Sequence, residues 1–285
     1  MTTLSPSICN HSTPLHDDMS FSDGPCPDEA KDCLVWFRTS QVIQFKTLLD
    51  VLKDLLTEVN LEFGDKGFKV ISLDPGKIGM IHLSVHNLEA YYCPKPCHAG
   101  VYISYLYKIL RTVTTNHHME IRIRESDPKI LEVILTNADK RVHTIHHLKL
   151  LDLDVEEIKI PEVQFECVVS MPSADLQKYV KELSHVSNLI TIRGSDNKIC
   201  FISRGDMGET CIEVAPTPSG LNWLHKDMQK KTFESTFFLK YVERFSKSTC
   251  DSTVELYFRQ GYPLIMRYEM TIGSLRFCIA PISPK

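Results

Sequence analysis

The residues with the plainest chemistry in this chain are cations spaced as on helices. Lys46 and Lys53 lie seven apart, and Lys108 and Arg111 three apart. Lys178, Lys181 and His185 fall at i, i+3 and i+7, and Lys240, Arg244 and Lys247 at i, i+4 and i+7. On a helix these spacings bring side chains to one face. A row of ammonium and guanidinium groups holds phosphates loosely. Each phosphate contact releases counterions and adds a slope near −0.9 to the salt dependence of binding, so a few contacts give weak, sequence-blind attachment. A solvated helix face ordinarily carries charge, and Asp50, Asp54 and Glu182 stand on the same helices. Four such stripes in a chain of formal net charge −4 still mark a local basic surface in an acidic molecule. No stacking platform or recognition helix accompanies them, so base readout is not indicated.

Other residues invite metal chemistry. They are His117–His118, His143, His146 and His147, and the pair in CPKPC (93–97). Zinc asks for a compact tetrahedral set. In a strand His143 and His147 share one face and His146 points to the other, and a single strand does not close such a set. Cys9, His11, His16, Cys26 and Cys33 match no zinc spacing. No metal or cofactor is therefore assigned. The chain also lacks a P-loop, a G-x-S-x-G and an H-E-x-x-H. Its acidic residues form no paired signature, so no catalytic residue is named and an enzyme is not expected.

Composition sets the frame. With 285 residues, 43% hydrophobic and 24% charged, the chain reads as one large or two ordinary globular domains. No apolar run reaches the roughly 18–20 residues of a membrane span, and the N-terminus lacks the pattern of a signal peptide. Ten cysteines without that signal read as reduced thiols in a nuclear or cytoplasmic protein that is not secreted.

The elements that must carry the cations follow from periodicity. Residues 1–33, rich in Ser, Thr, Pro, Asp and His, read as a disordered arm. Apolar three-four spacing predicts helices over 45–59, 103–114, 172–186 and 235–249. Strand-like runs fall at 35–40, 67–73, 79–85, 88–93, 119–125, 131–137 and 142–153. They recur at 165–171, 189–193, 198–203, 210–214, 253–259, 264–270 and 275–281. Each half reads strand, helix, strands, helix, strands, an internal repeat of about 130 residues that matches Leu52 to Val180 and Lys108 to Lys240. The expected plan is an α+β protein: domain 1 at 34–149, a connector at 150–162, and domain 2 at 163–285.

Several runs then resemble a known family. They are VISLDPGKIGMIHLSV (70–85), LKLLDLDVEEIKIPEVQFECVVSMPSADLQKYVKELSHVSN (148–188), FLKYVERFSKSTCDSTVELYF (238–258), YPLIMRYEM (262–270) and CIAPI (278–282). The chain over 34–285 resembles the proliferating cell nuclear antigen (PCNA) family, the sliding clamps of eukaryotes, archaea and some large DNA viruses. The resemblance implies a DNA clamp fold with helices packed on antiparallel sheets, closed as a homotrimeric ring around double-stranded DNA. Such a ring serves a DNA polymerase as processivity factor and is opened by a clamp loader. The family's DNA-facing positions fall here on Lys46, Lys53, Lys108, Arg111, Lys178, Lys181, His185, Lys240 and Lys247. Its edge strands fall near 141–148 and 209–214.

The family also docks clients with short aromatic-plug motifs beside the connector. The matching positions are Leu73, Lys77, Ile78, Met80, Leu153, Ile158, Ile160, Pro263, Cys278, Ala280, Pro281 and Ile282. Cys278 stands where the family commonly has Tyr, and 215–232 is basic where eukaryotic relatives are acidic. Alternatives are a subunit of a heteromeric checkpoint-type ring and, further off, a metal-dependent DNA-processing enzyme.

Overall fold

The computed structural model of the chain describes residues 28–74, 76–137, 139–155, 158, 163–195, 197–226, 232–248 and 250–282. The first half runs β1 (Cys33–Thr39), α1 (Val42–Leu52), β2 (Glu58–Phe63), β3 (Phe68–Leu73), β4 (Gly79–Val85), β5 (Ala90–Tyr92), β6 (Cys97–Tyr102), α2 (Ile103–Leu110), β7 (His117–Arg124), β8 (Asp127–Asn137) and β9 (Val142–Lys149). The second half runs β10 (Cys167–Pro172), α3 (Ser173–Leu183), β11 (Leu189–Gly194), β12 (Ile199–Gly205), β13 (Gly208–Val214), β14 (Asn222–Lys226), β15 (Phe233–Phe238), α4 (Leu239–Ser246), β16 (Thr253–Phe258), β17 (Leu264–Met270) and β18 (Gly273–Ile279).

The two halves are one plan used twice. The sheet order β5-β1-β7-β8-β9 is repeated as β14-β10-β16-β17-β18, and β4-β3-β2-β6 as β13-β12-β11-β15. The buried faces repeat too. Val42, Phe45, Leu49 and Leu52 of α1 are matched one for one by Ser173, Leu176, Val180 and Leu183 of α3. Ile103, Leu106 and Leu110 of α2 are matched by Leu239, Val242 and Ser246 of α4. This sets the equivalences: Leu52 matches Leu183 rather than Val180, and Lys108 matches Arg244 rather than Lys240.

One pairing fuses the halves. β18 lies antiparallel to β4 from Gly273↔Val85 to Ile279↔Gly79 and joins the two halves in a nine-stranded sheet. α4 covers the seam: Phe245 stacks on Phe277 with ring centroids 4.4 Å apart, and both rings are buried. Burying each such ring is worth about 1.5–3 kcal/mol. α1 packs against α2 and α3 against α4. The Arg244 guanidinium of α4 donates to the Asp54 carbonyl just beyond α1, so the four helices form one continuous layer.

The helices are shorter than their apolar pattern predicts. Leu55, Leu56 and Val59 continue the periodicity of α1, yet the amides of Leu55 and Leu56 close a turn on the Leu52 carbonyl, and Val59 pairs with Val101 in the sheet. Tertiary pairing overrides local propensity there. Residues 235–238 leave the predicted fourth helix for the same reason, because β15 pairs along β11. Strands β2, β6 and β14 were not anticipated. The last residues of the expected arm are ordered: a 3₁₀ turn (Asp28–Ala30) leads into β1, and Ala30 and Cys33 pack on Trp36. Residues 1–27 lie outside the described residues. Among the described residues no helix is long and apolar enough to cross a membrane.

Candidate nucleic-acid interface and partner groove

The cations expected to meet DNA all lie on or just beyond the four helices, opposite the faces that fill the core. They are not equivalent. Lys108, Arg111, Lys178, Lys181, His185 and Lys240 are exposed and make no ion pair among the described residues. The Lys108 ammonium rests 5.0 Å from the Tyr105 ring centre, and that of Lys240 rests 5.0 Å from Tyr241. Each ammonium is thus held over a ring face by cation–π attraction at an exposed position. Lys53 is already engaged, at 2.7 Å from Asp50 and 3.4 Å from Asp54, with its ammonium 4.7 Å from the Tyr107 ring. Its hydrogen bond to Asp50 raises its pKa and lowers that of Asp50. Lys46 reaches the Val113 carbonyl at 3.4 Å, Lys247 pairs with Glu243 at 3.0 Å, and Arg244 holds Asp54. These four act first inside the protein. The free cations are supplied mainly by α2, α3 and the start of α4.

Of the expected partner residues, Leu73, Met80 and Cys278 share the other face of the nine-stranded sheet. Side chains of paired residues point to the same side of a sheet. The pairings Tyr257↔Ile265, Ile265↔Cys278, Cys278↔Met80 and Met80↔Leu73 therefore draw one row across five strands and over the seam. Phe165 extends the row, with its ring 5.3 Å from Tyr257 and 6.0 Å from Tyr262. Burial pushes the Cys278 thiol up to about 12, so it is a neutral, small member of the row. The next row on this face is charged: Glu255↔Arg267, Arg267↔Arg276 and Arg276↔His82.

One end of the apolar row is shaped by a caged loop. The Asp74 carboxylate accepts from the amides of Ile78 at 2.7 Å, Gly79 at 2.5 Å and Gly76 at 3.1 Å, and from the Tyr241 hydroxyl at 2.7 Å. Burial opposes its ionisation, but these donors outweigh it and hold the carboxyl below the ordinary range. The cage lets Lys77 adopt a left-handed φ of 53° and presents Ile78 at the rim. The Ala280 amide donates to the Ile78 carbonyl at 2.9 Å, and the Ile282 amide to Thr236 at 2.8 Å. The loop and the C-terminal segment are thus one rim, with Pro263 and Pro281 half-buried in it.

The connector lies over the β6–β2 end of the same sheet. The Leu151 amide donates to the Gly100 carbonyl at 2.8 Å, and the Asn60 amide side chain holds the Asp154 carbonyl at 3.2 Å. It crosses β6 and then β2. Gly100 makes this possible, because a Cβ there would sit 2.4 Å from the Leu151 carbonyl oxygen and 3.0 Å from Leu153. Leu153 and Ile158 are half-buried, and Ile160 lies outside the described residues. Sequence reasoning missed Asp74, Gly100, Asn60, Tyr241, Tyr257 and Ile265. The turn signal in DPGKIG (74–79) could have pointed to Asp74. The others owe their place to long-range pairing and carry no local signal.

Both halves of the chain match known proteins. Residues 36–158 match the family model for the N-terminal domain of proliferating cell nuclear antigen, and 159–283 that for its C-terminal domain. The chain is 29% identical over 261 residues to a probable DNA polymerase sliding clamp of Paramecium bursaria Chlorella virus 1, a match that covers 87% of this chain and 97% of that protein. It also superposes on the crystal structure of proliferating cellular nuclear antigen from Entamoeba histolytica with a TM-score of 0.78 at 25% identity, covering 88% of this chain and all of that one.

Proposed function

The chain belongs to the PCNA family of DNA sliding clamps, and from that premise we propose that three copies close head to tail into a ring around duplex DNA. Its role is that of a DNA polymerase sliding clamp, a non-enzymatic processivity factor acting where DNA is replicated.

The observation that carries the ring is the seam inside the chain. β18 of the second half pairs with β4 of the first, while their repeat equivalents, β9 and β13, end their sheets unpaired among the described residues. An open edge is a template for another strand. Joining β9 of one copy to β13 of the next repeats the internal seam between molecules. A heterologous contact of this kind closes when its rotation permits, and three two-domain copies match the ring that the family resemblance implies. The helix layer then faces the hole. Lys108, Arg111, Lys178, Lys181, His185 and Lys240 supply loose phosphate contacts, with Lys46, Lys53, Arg244 and Lys247 supporting the same surface. Linkage to DNA comes from closure, so weak contacts permit sliding.

The row from Leu73 to Tyr257, between the Asp74 loop and the connector, serves as the groove for the aromatic plugs of polymerases and other clients. The test is mass by light scattering, together with polymerase stimulation on primed circular DNA. A strictly monomeric protein that gives no stimulation would sink this reading. Assembly only in the presence of a second clamp-like chain would support the heteromeric alternative instead.

A further inference from the structure

The edge strand β13 carries side chains for which sliding has no use. Cys200 of β12 pairs with Glu213 of β13, and Cys211 lies one step along on the same face. The two Sγ atoms and a Glu213 carboxylate oxygen lie within 4.8 Å of one another. The cations around them are Lys198, 2.6 Å from Glu213, and Arg193, paired with Cys200 in the sheet and 3.9 Å from Glu234. Partial burial pushes the Cys211 thiol up, and Cys200 and Glu213 push it further. Two thiols and a carboxylate in this space suit zinc, but they are one ligand short of a tetrahedron.

The repeat supplies the fourth. Leu131↔Leu148 in the first half corresponds to Leu264↔Ile279 in the second, so Val142–Leu148 matches Gly273–Ile279. Gly79–Val85 matches Gly208–Val214, since Phe68↔Val85 corresponds to Ile199↔Val214. The internal seam sets Ser274 opposite Ser84 and Arg276 opposite His82. Carried to β9 and β13 of adjoining copies, this register sets His143 opposite Glu213 and Ile145 opposite Cys211. The same register brings His147 to Glu209, which Arg204 already holds at 2.8 Å.

We propose that the contact between copies builds a zinc site from Cys200, Cys211 and Glu213 of one copy and His143 of the next. His143 is prepared for this. Its Nδ1 lies 3.0 Å from Thr136 Oγ1, a contact that fixes the ring and leaves Nε2 for the metal. Directly opposed residues have Cβ atoms about 4.5–5.5 Å apart, within reach of an imidazole and a carboxylate sharing one ion. Zinc binding drives two thiol protons into solvent and displaces Lys198 from Glu213. Because its ligands come from two copies, the metal stabilises the closed ring.

The inference rests on the head-to-tail ring, and cobalt as a spectroscopic stand-in for zinc tests it on the full chain. Metal-stripped protein titrated with Co²⁺ should take up one ion per subunit, with thiolate-to-cobalt charge transfer and visible bands of tetrahedral strength. Cys211→Ser and Glu213→Gln, both on the exposed edge, should lose that signal. His143→Ala should weaken binding by roughly tenfold or more, and Lys198→Ala should tighten it. Light scattering on the same samples separates the two claims. An assembled ring that binds no Co²⁺, or whose signal survives Cys211→Ser, overturns the site and leaves the ring standing. A signal unchanged in His143→Ala overturns the shared ligand. A protein that stays monomeric overturns both.

Discussion

The Tyr241 hydroxyl of α4 donates to Asp74 Oδ2 at 2.7 Å, tying the helix layer of the second half to a loop of the first. Asp74 is the hub of that loop, since its other oxygen holds the amides of Ile78 and Gly79. One carboxylate therefore serves two purposes. It shapes the rim that presents Ile78, and it secures the junction that α4 covers. Tyr241 responds in turn: its hydrogen bond to Asp74, then burial, raises its own pKa.

This tie should be visible in acid. The Asp74 pKa is depressed in the folded protein. Its contribution is present above the ordinary aspartate value near 3.9 and is lost as pH falls through the lower folded value. Asp74→Asn should cost about 1–3 kcal/mol near neutral pH and approach the parent protein in strong acid. Urea unfolding midpoints across that range check it. Parallel curves for the two proteins would show that Asp74 is not ionised against these donors.

The helix cations divide into free and engaged groups, and the division predicts function. Lys181→Glu combined with Lys240→Glu should impair loading onto circular DNA and sliding along it while leaving mass and unfolding unchanged. Lys178→Ala should reduce the salt slope of DNA binding by about 0.9 for each phosphate left without its cation. Lys53→Ala should alter that slope less and cost up to about 1 kcal/mol of stability, because Asp50 and Asp54 lose their partner. Filter or fluorescence binding across a salt series distinguishes the three.

Local pattern revealed the helices and their basic faces because a 3.6-residue period is written into nearby residues. Phe45, Leu48, Leu49 and Leu52 face the core, as their spacing demands. The same pattern overran into Leu55, Leu56 and Val59, because nothing local announces that Val59 pairs with Val101. The seam is further from view. Gly273 and Val85 are distant in the chain, and their pairing follows from the fold as a whole. The family resemblance named the proposed partner positions, yet it gave no reason for Gly100 or Asp74. It also could not say that Lys53 uses its charge inside the protein.

The open edge offers a sharper test of the ring than size alone. Ile145 is 55% exposed on β9, an apolar side chain facing solvent on a strand that ends its sheet among the described residues. In the proposed contact it lies over Cys211 of the adjoining copy. Ile145→Asp puts an unpartnered charge into that contact and should give a monomer by light scattering. Because the position is exposed within one copy, that monomer should stay folded and unfold cooperatively, with a midpoint lowered only by the stability that assembly adds to the parent ring. A ring that survives Ile145→Asp would place the contact elsewhere.

The connector can be loosened without touching any side chain of the proposed client groove. Gly100 leaves room for Leu151 and Leu153, and a methyl group there would collide with the Leu151 carbonyl at 2.4 Å. That neighbour is backbone, so the connector must move rather than a side chain swing aside. Gly100→Ala should therefore lift the connector at Leu153 and weaken client peptides. Ile158→Ala removes apolar surface from the connector itself and should weaken them too. Calorimetry with an aromatic-plug peptide compares the two, with DNA retention as the control that neither should change. If Gly100→Ala binds the peptide as the parent does, the seat on β6 only tethers the connector and does not shape the groove.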